Sequence, residues 1–541
     1  MKVTFTFILF VIPGCLYSYA QNNFREKIYS TPANSILKGL VRTYDGGYAL
    51  ASSVDSAGTG HYDFCLLKLN SALQVQWSYT YGGPQEEICF HLKQTPDSGF
   101  VLSGYSTSFT NGSRDAMILK TDKNGIFEWS KIIGGTLEDR FTWCEPKADG
   151  TITCTGNTKS AGAGDDDMLI IKFAPNGDTL WTRIIGGSVY DAGICVANLS
   201  NGGYAISGRV YSFGTGFRDA CLLRTDDSGN LEWFRTYGGP FTDEGMVVKQ
   251  TADGGFLISG ASESFAPAGY YDVYTIRTDS TGSLLWSRCY GGNNIDASYD
   301  FIENPDGGFT ILGFSESFNS NLLNPASPET SANDSANIYL IRINAQGDTL
   351  WTRIYGGNKS DEAYSLIPSD SGGYVLGAFS NSFNNSNRYD VYLLWIDSTG
   401  YAGCNTRYTS SYVITPSTIP MIHTPDIHSG IPVMNPLIVS GINNYVFSDP
   451  CLFTDIHESR HELFQFEIYP NPALHQFSVS TSSSQKMKLS ITDVAGSMVL
   501  TENLKGGKTV IPVFLPAGMY FITLTDEGGA SVSKRVVVLN E

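Results

Sequence analysis

At 541 residues the chain has room for two or three domains, and 42% hydrophobic content with 57 Gly, 30 Tyr and 30 Phe excludes disorder in favour of an all-β protein with many tight turns. A formal net charge of −18, carried by only 16% charged residues, repels phosphate backbones and excludes nucleic acid as a natural partner. No segment beyond the N-terminus reaches 18 consecutive apolar residues, so no transmembrane segment is expected.

The chain opens with Lys2, an apolar run from Phe5 to Ile12, and Ser18-Tyr19-Ala20 before Gln21. This is the pattern of a secretory signal peptide over residues 1–20, too short to span as a helix. A rival reading is a lipoprotein cleavage box, Ile12-Pro13-Gly14-Cys15, which Pro13 fits poorly. An exported protein with ten cysteines invites disulfides. Most of them stand singly in predicted strands (Cys65, Cys154, Cys195, Cys221, Cys289) and read as small buried hydrophobes. Cys404 and Cys451, flanking a loop-rich stretch, are the candidate pair.

From residue 21 a repeat takes over. Trp recurs at 77, 129, 181, 233, 286 and 351, at spacings of 52, 52, 52, 53 and 65, and an Asp-Gly-Gly-like turn opens each unit at Asp45, Asp97, Asp149, Asn201, Asp253, Asp306 and Ser371. A fixed period of this size means stacked supersecondary units. Within one unit the strands are Gly255–Ser262, Asp272–Thr278 after a loop, Leu284–Tyr290 after the hairpin turn Asp279–Gly282, and Ser298–Glu303 after Gly291-Gly292. Four antiparallel strands per unit, repeated radially, describe a β-propeller blade. The count gives a seven-bladed β-propeller over 21–403, with the N-terminal pair Phe24–Tyr29 and Ile36–Thr43 completing the blade begun at Ser371; an eighth blade from Tyr408–Val413 onward is the alternative. Joining both ends in one blade removes free sheet edges. The six Trp read as blade-to-blade core.

Residues 319–337 form the sizeable insertion, rich in Ser, Asn and Pro, and read as an exposed loop. Residues 404–464 lose the period and are Pro-punctuated, which predicts a linker or irregular segment. Residues 465–541 return to alternating strands, the pattern of a small Ig-like β-sandwich. There Tyr469-Pro470-Asn471-Pro472, the turn Asp493–Gly496, Leu515–Leu524 and Lys534–Val538 together resemble the C-terminal sorting domain of type IX secretion cargo in Bacteroidetes. The resemblance implies the secretion machinery as partner of residues 465–541, and an extracellular or outer-membrane-surface destination. The repeats resemble Asp-Gly-Gly/Trp/Gly-Gly proteins of the same bacteria, a likeness that names no activity.

The units supply their own internal comparison for chemistry. An acid follows each Gly-Gly, at Glu87, Asp139, Asp191, Asp243, Asp296 and Asp361, and a second opens the second strand of each unit at Asp63, Asp115, Asp167, Asp219, Asp272 and Asp390, with Asn337 the exception. Equal occurrence in every unit favours a structural role, because a site for one asymmetric ligand should break the symmetry. His457-Glu458-Ser459-Arg460-His461 is a formal H-E-x-x-H, which on a helix would offer two zinc ligands and a general base. Its place between Pro450 and Pro470 and the missing third ligand disfavour a metal. No cofactor motif appears. The expectation is therefore a non-enzymatic binding or adhesion scaffold for glycan or protein, with contacts in the loops at Tyr270, Tyr271 and Tyr389. The alternative is a carbohydrate-active enzyme using a carboxylate pair in the propeller channel.

Overall fold

The computed structural model describes residues 25–402 apart from 56–60, 111–112, 267–269, 319–335, 371 and 385–386, most of 406–448, and the strands of 466–538. It divides into two compact units, Met1–Leu452 and Phe453–Glu541. The signal peptide, Cys404, Cys451, most of the insertion and the H-E-x-x-H motif lie outside the described residues.

The first unit is built of seven antiparallel five-stranded sheets. In the fifth, Asp243–Gln250 is innermost, followed outward by Phe256–Ser262, Asp272–Thr278 and Leu284–Gly291. The second and third strands are buried on both faces, which is why they read as runs of Val, Ile, Leu and small residues without alternation. Innermost strands pack side by side in chain order, and Asp361–Pro368 of the seventh sheet packs beside Ser35–Arg42 of the first. A hydrogen bond from the Leu40 amide to Ser365 Oγ, 3.1 Å, crosses that junction.

Sheet and sequence repeat are out of phase by one strand. The strand after each Gly-Gly, read above as the last of its unit, pairs forward as the innermost strand of the next sheet; Asp296–Glu303 lies against Phe309–Ser315. Each Gly-Gly loop thereby ties two sheets together. The same shift separates the two N-terminal strands. Arg25–Ser30 completes the seventh sheet against Asp390–Ile396, with Tyr29 opposite Val391, whereas Ser35–Arg42 opens the first sheet against Tyr48–Val54.

Where residues 404–464 are described, they are not the expected irregular linker. Between 406 and 448 they supply seven short strands, one on the outer edge of each sheet. Thr406–Thr409 pairs with the sixth sheet, Tyr412–Ile414 with the fifth, Ile419–Ile422 with the fourth, Asp426–His428 with the third, Val433–Met434 with the second, Val439–Ile442 with the first and Val446–Ser448 with the seventh. The segment is a belt running round the sheets against their chain order. It covers edges whose unpaired N–H and C=O groups would otherwise recruit other chains. Tyr408–Val413 belongs to this belt and founds no eighth sheet.

The repeat Trp residues are half-buried instead of core. Each indole lies on the hairpin of the following sheet; Trp286 Nε1 donates to the Ala345 carbonyl at 3.1 Å and Trp129 Nε1 to that of Pro175 at 3.0 Å. The fully buried partner is the Tyr four residues on. Tyr81, Tyr237, Tyr290 and Tyr355 each donate a hydroxyl, at 2.6 Å, to the carbonyl of a hairpin glycine in the next sheet (Gly125, Gly282, Gly347, Gly400). Gly282 shows why that position is glycine: its φ of +78° is left-handed, and a Cβ there would strike Trp233.

In the second unit the 18-residue strand Gln476–Asp493 pairs with Phe466–Tyr469, Met498–Pro512 and Gly518–Asp526, and Ser531–Val538 extends the sheet. Register breaks between Thr481 and Lys486, where two separate strands were expected. Phe477, Val479, Leu489, Ile491, Ile522, Leu524 and Val536 form its core.

Candidate functional site

Two kinds of position recur through the sheets of the first unit: those alike from sheet to sheet and those that differ. The acids after Gly-Gly are alike. Each opens an innermost strand, is buried, and accepts the amide of the residue four earlier: Gly83 to Glu87 at 2.7 Å, Gly135 to Asp139 at 3.1 Å, Gly187 to Asp191, Gly239 to Asp243 and Gly292 to Asp296 at 2.8 Å, and Gly357 to Asp361 at 2.9 Å. Serine hydroxyls from the neighbouring loop add bonds of 2.6 Å to Asp139, Asp243, Asp296 and Asp361. At least one oxygen of each is held by the loop's own donors, while Asp296 Oδ1 and Asp361 Oδ1 are buried without a hydrogen-bond partner.

The second acid series faces the first. A methyl placed on Gly82, Gly134, Gly186, Gly238 or Gly291 would meet both members of a pair: Asp63 with Glu87, Asp115 with Asp139, Asp167 with Asp191, Asp219 with Asp243, Asp272 with Asp296. Burial and then the Asp296 charge push Asp272 up to about 8, and Asp272 Oδ1 has no hydrogen-bond partner. Burial likewise raises Asp167, Asp219 and Asp296 to about 6 and Asp361 to about 7. Among the described residues no group of three or more His, Cys, Asp or Glu could hold a metal ion. Cys65, Cys89, Cys144, Cys154, Cys195, Cys221 and Cys289 are buried thiols outside any disulfide, and burial raises the thiol of Cys144 to about 12, far from a reactive thiolate.

The differing positions lie at a bulge that every innermost strand carries. Register skips one residue between Leu37 and Gly39, Cys89 and His91, Phe141 and Trp143, Gly193 and Cys195, Gly245 and Val247, Ser298 and Asp300, and Ala363 and Ser365. Bulges re-aim side chains where a strand borders a site. The skipped residues are Lys38, Phe90, Thr142, Ile194, Met246, Tyr299 and Tyr364. On one side Lys38 Nζ sits 3.3 Å from the Tyr364 ring centre, and Tyr364 stacks on Tyr299 at 4.1 Å. Burial lowers Lys38 to about 8, opposed by Glu362.

Two of the residues that follow a bulge, Trp143 and Cys195, line a pocket of about 470 Å³ together with Lys93, Glu145, Asn198 and Lys249 among others. Trp143 stacks on His91 with ring centres 3.7 Å apart. Lys93 pairs with Glu145 at 3.0 Å, and Lys249 with Asp300 at 2.7 Å. A larger recess of about 610 Å³ lies around Trp286, Arg277 and Asp253, but these are repeat residues with counterparts in other sheets. The pocket of unlike residues is the better candidate site.

The second unit decides the protein's destination. Residues 467–539 match the family model of the secretion system C-terminal sorting domain. The chain is a type IX secretion cargo. Over 196 residues the cargo is 25% identical to the regulatory protein FlaEY of Caulobacter vibrioides, and the match spans about a fifth (20%) of that protein's length. Among solved structures the cargo is similar to Sqt1 of Chaetomium thermophilum (9% identity, 68% of this chain and 97% of that one, TM-score 0.36). It is also similar to the GH93 alpha-L-arabinofuranosidase of Fusarium graminearum (10%, 70% and 98%, TM-score 0.37). A third is PorZ, a surface component of the type-IX secretion system of Porphyromonas gingivalis (9%, 93% and 81%, TM-score 0.23). At these values none lends the cargo an activity.

Of the residues singled out from sequence, Tyr270 is 51% exposed in the fifth sheet's loop, and Tyr271 beside it is half-buried, its carbonyl taking the Asp296 amide at 2.7 Å. Tyr389 stands on the seventh sheet, edge-on to Phe379 at 5.0 Å. The three do not form one site, and none lines the axial pocket. Trp143 was missed. Its signal was available: it is a Trp off the 52-residue spacing, where other units place His91, Cys195, Val247 or Asp300.

Proposed function

We propose that the seven sheets close into a seven-bladed β-propeller and that this cargo is a non-enzymatic binding scaffold, displayed on the cell surface or released, for a glycan or protein partner. Closure is supported by the pairing of Arg25–Ser30 with Asp390–Ile396 and by the packing of the first innermost strand against the seventh. The observation that carries the binding role is an apolar arc on the face bearing the Gly-Gly loops. Leu137, Val189, Phe217, Phe241 and Tyr270, 46–72% exposed, come from loops of the third, fourth and fifth sheets in succession. Exposed apolar residues gathered on one face mark an interaction surface more than a random scatter does. The repeat carboxylates lie beneath these loops, where a substrate does not reach them, which favours binding over hydrolysis. Full-length protein is to be screened on a glycan array and by cross-linking to intact cells, beside Phe217→Ser/Phe241→Ser. Retention by the wild type, weakened in the variant, is expected; product release from an oligosaccharide would overturn the reading.

A further inference from the structure

We infer that the axial pocket around Trp143 binds a neutral saccharide, inserted end-on. This rests on the cargo being a binding scaffold and names the ligand class and place. The first observation is the break in symmetry. At the position after the bulge the other sheets place Gly39, His91, Cys195, Val247, Asp300 and Ser365, and only the third presents an indole there. One face of that indole is taken by His91, stacked at 3.7 Å and 24°. Trp143 is nevertheless half-buried and lines the cavity, so part of the ring meets whatever enters.

The second observation is charge balance. Two ammonium groups border the pocket, and each is matched by a carboxylate: Lys93 by Glu145 at 3.0 Å, Lys249 by Asp300 at 2.7 Å. An ionic ligand entering here gives up its hydration and breaks a pair already made, so ions are disfavoured on both signs. A neutral ligand leaves the pairs intact and can still bond to them.

Hydroxyl groups that donate to Glu145, accept from the lysines, and flank a C–H face for the indole are the equipment of a sugar ring. A cavity of about 470 Å³ takes the end of such a chain, not its length.

The test uses the full-length protein with neutral pentasaccharides of glucose, xylose, mannose and galactose, read by calorimetry and by tryptophan fluorescence. At least one is expected to bind and to perturb the fluorescence. Trp143→Ala should weaken it about tenfold or more, while Val510→Ser, on an exposed residue of the second unit, leaves it unchanged. Trp143→Phe, which keeps a ring against His91, serves if the alanine variant fails to fold, and should bind with intermediate strength. Saccharide binding lost in Phe217→Ser and kept at full strength in Trp143→Phe overturns the axial site while sparing the scaffold reading. Capture of a protein with no saccharide bound does the same. Failure to bind either class removes both.

Discussion

Asp272 carries the largest mismatch between a side chain and its place. It is 2% exposed, faces Asp296, and its Oδ1 meets no donor, so the folded state favours the neutral acid. A carboxyl raised to about 8, from an ordinary value near 4, contributes stability that is complete below pH ~4 and is lost as pH rises through about 8. The sixth sheet already holds the neutral isostere, since Asn337 stands where the other sheets place Asp. Asp272→Asn should therefore raise the unfolding free energy at pH 8.5 by at least about 1.4 kcal/mol, one pKa unit's worth, with little change at pH 4.5. Chemical denaturation at the two pH values reads it, and equal effects at both would refute the neutral acid. Tyr290 makes the second case. Tyr290→Phe keeps the ring and leaves the Gly347 carbonyl without its 2.6 Å donor, an expected loss of about 1–3 kcal/mol. Trp286→Ala should cost less than the roughly 3–5 kcal/mol of a buried aromatic, because its indole is half in solvent.

Strands written by side-chain pattern were legible, and strands written by backbone alone were not. The four strands of each sheet announce themselves through the Trp period, the glycine turns and β-branched runs such as Val273–Ile276. The acid after Gly-Gly drew attention by its regular recurrence, and at Asp243 it takes bonds from Gly239 and Ser264. The Trp–Tyr division of labour was not legible, because the Trp recurs more regularly than the Tyr, which gives way to Ile133 and Ile185 in two sheets, and only burial shows which of the two is core. The belt escaped for a different reason. Its strands are two to four residues long, and Val413, Ile422 and Ile427 point outward at 46%, 69% and 47% exposure, so no alternation marks them. What holds them is main-chain pairing, helped by Thr418 Oγ1 at 3.0 Å from Ser287 and His423 Nε2 at 2.9 Å from Thr236. Deleting 406–448 should bare seven outer edges at once. The expected result is self-association at micromolar concentration, measured by light scattering, with more than an additive loss of thermal stability; a monodisperse, equally stable variant would show the belt to be dispensable.

At the scale of the whole first unit, the six-residue strand Arg25–Ser30 joins elements from distant parts of the chain. Arg25–Ser30 is the outer ladder partner of Asp390–Ile396 and also the inner partner of the last belt strand, Val446–Ser448. It is further locked by side chains: Tyr392 donates to Glu26 at 2.6 Å, and Tyr29 donates to the Leu73 carbonyl of the first sheet at 2.9 Å. The pairing repeats the unit rule with its residues exchanged. Lys or Arg on the third strand faces Trp on the fourth in six sheets, as Arg277 faces Trp286, whereas in the seventh Trp395 faces Arg25. One strand thus closes two ladders and touches both ends of the chain's circuit, and contacts so distant in sequence gain most from being made last and cooperatively. Removing residues 25–30 should expose the edge of Asp390–Ile396, release the belt's end, and convert one sharp unfolding transition into a broad one at lower temperature. A synthetic peptide of sequence Arg25–Ser30 cannot restore what a tethered strand supplies at high effective concentration, but a second copy of the chain can, so domain-swapped dimers are expected from the truncated protein. Calorimetry and sedimentation would read both effects, and an unchanged, monomeric, two-state protein would mean that the ring does not depend on this strand.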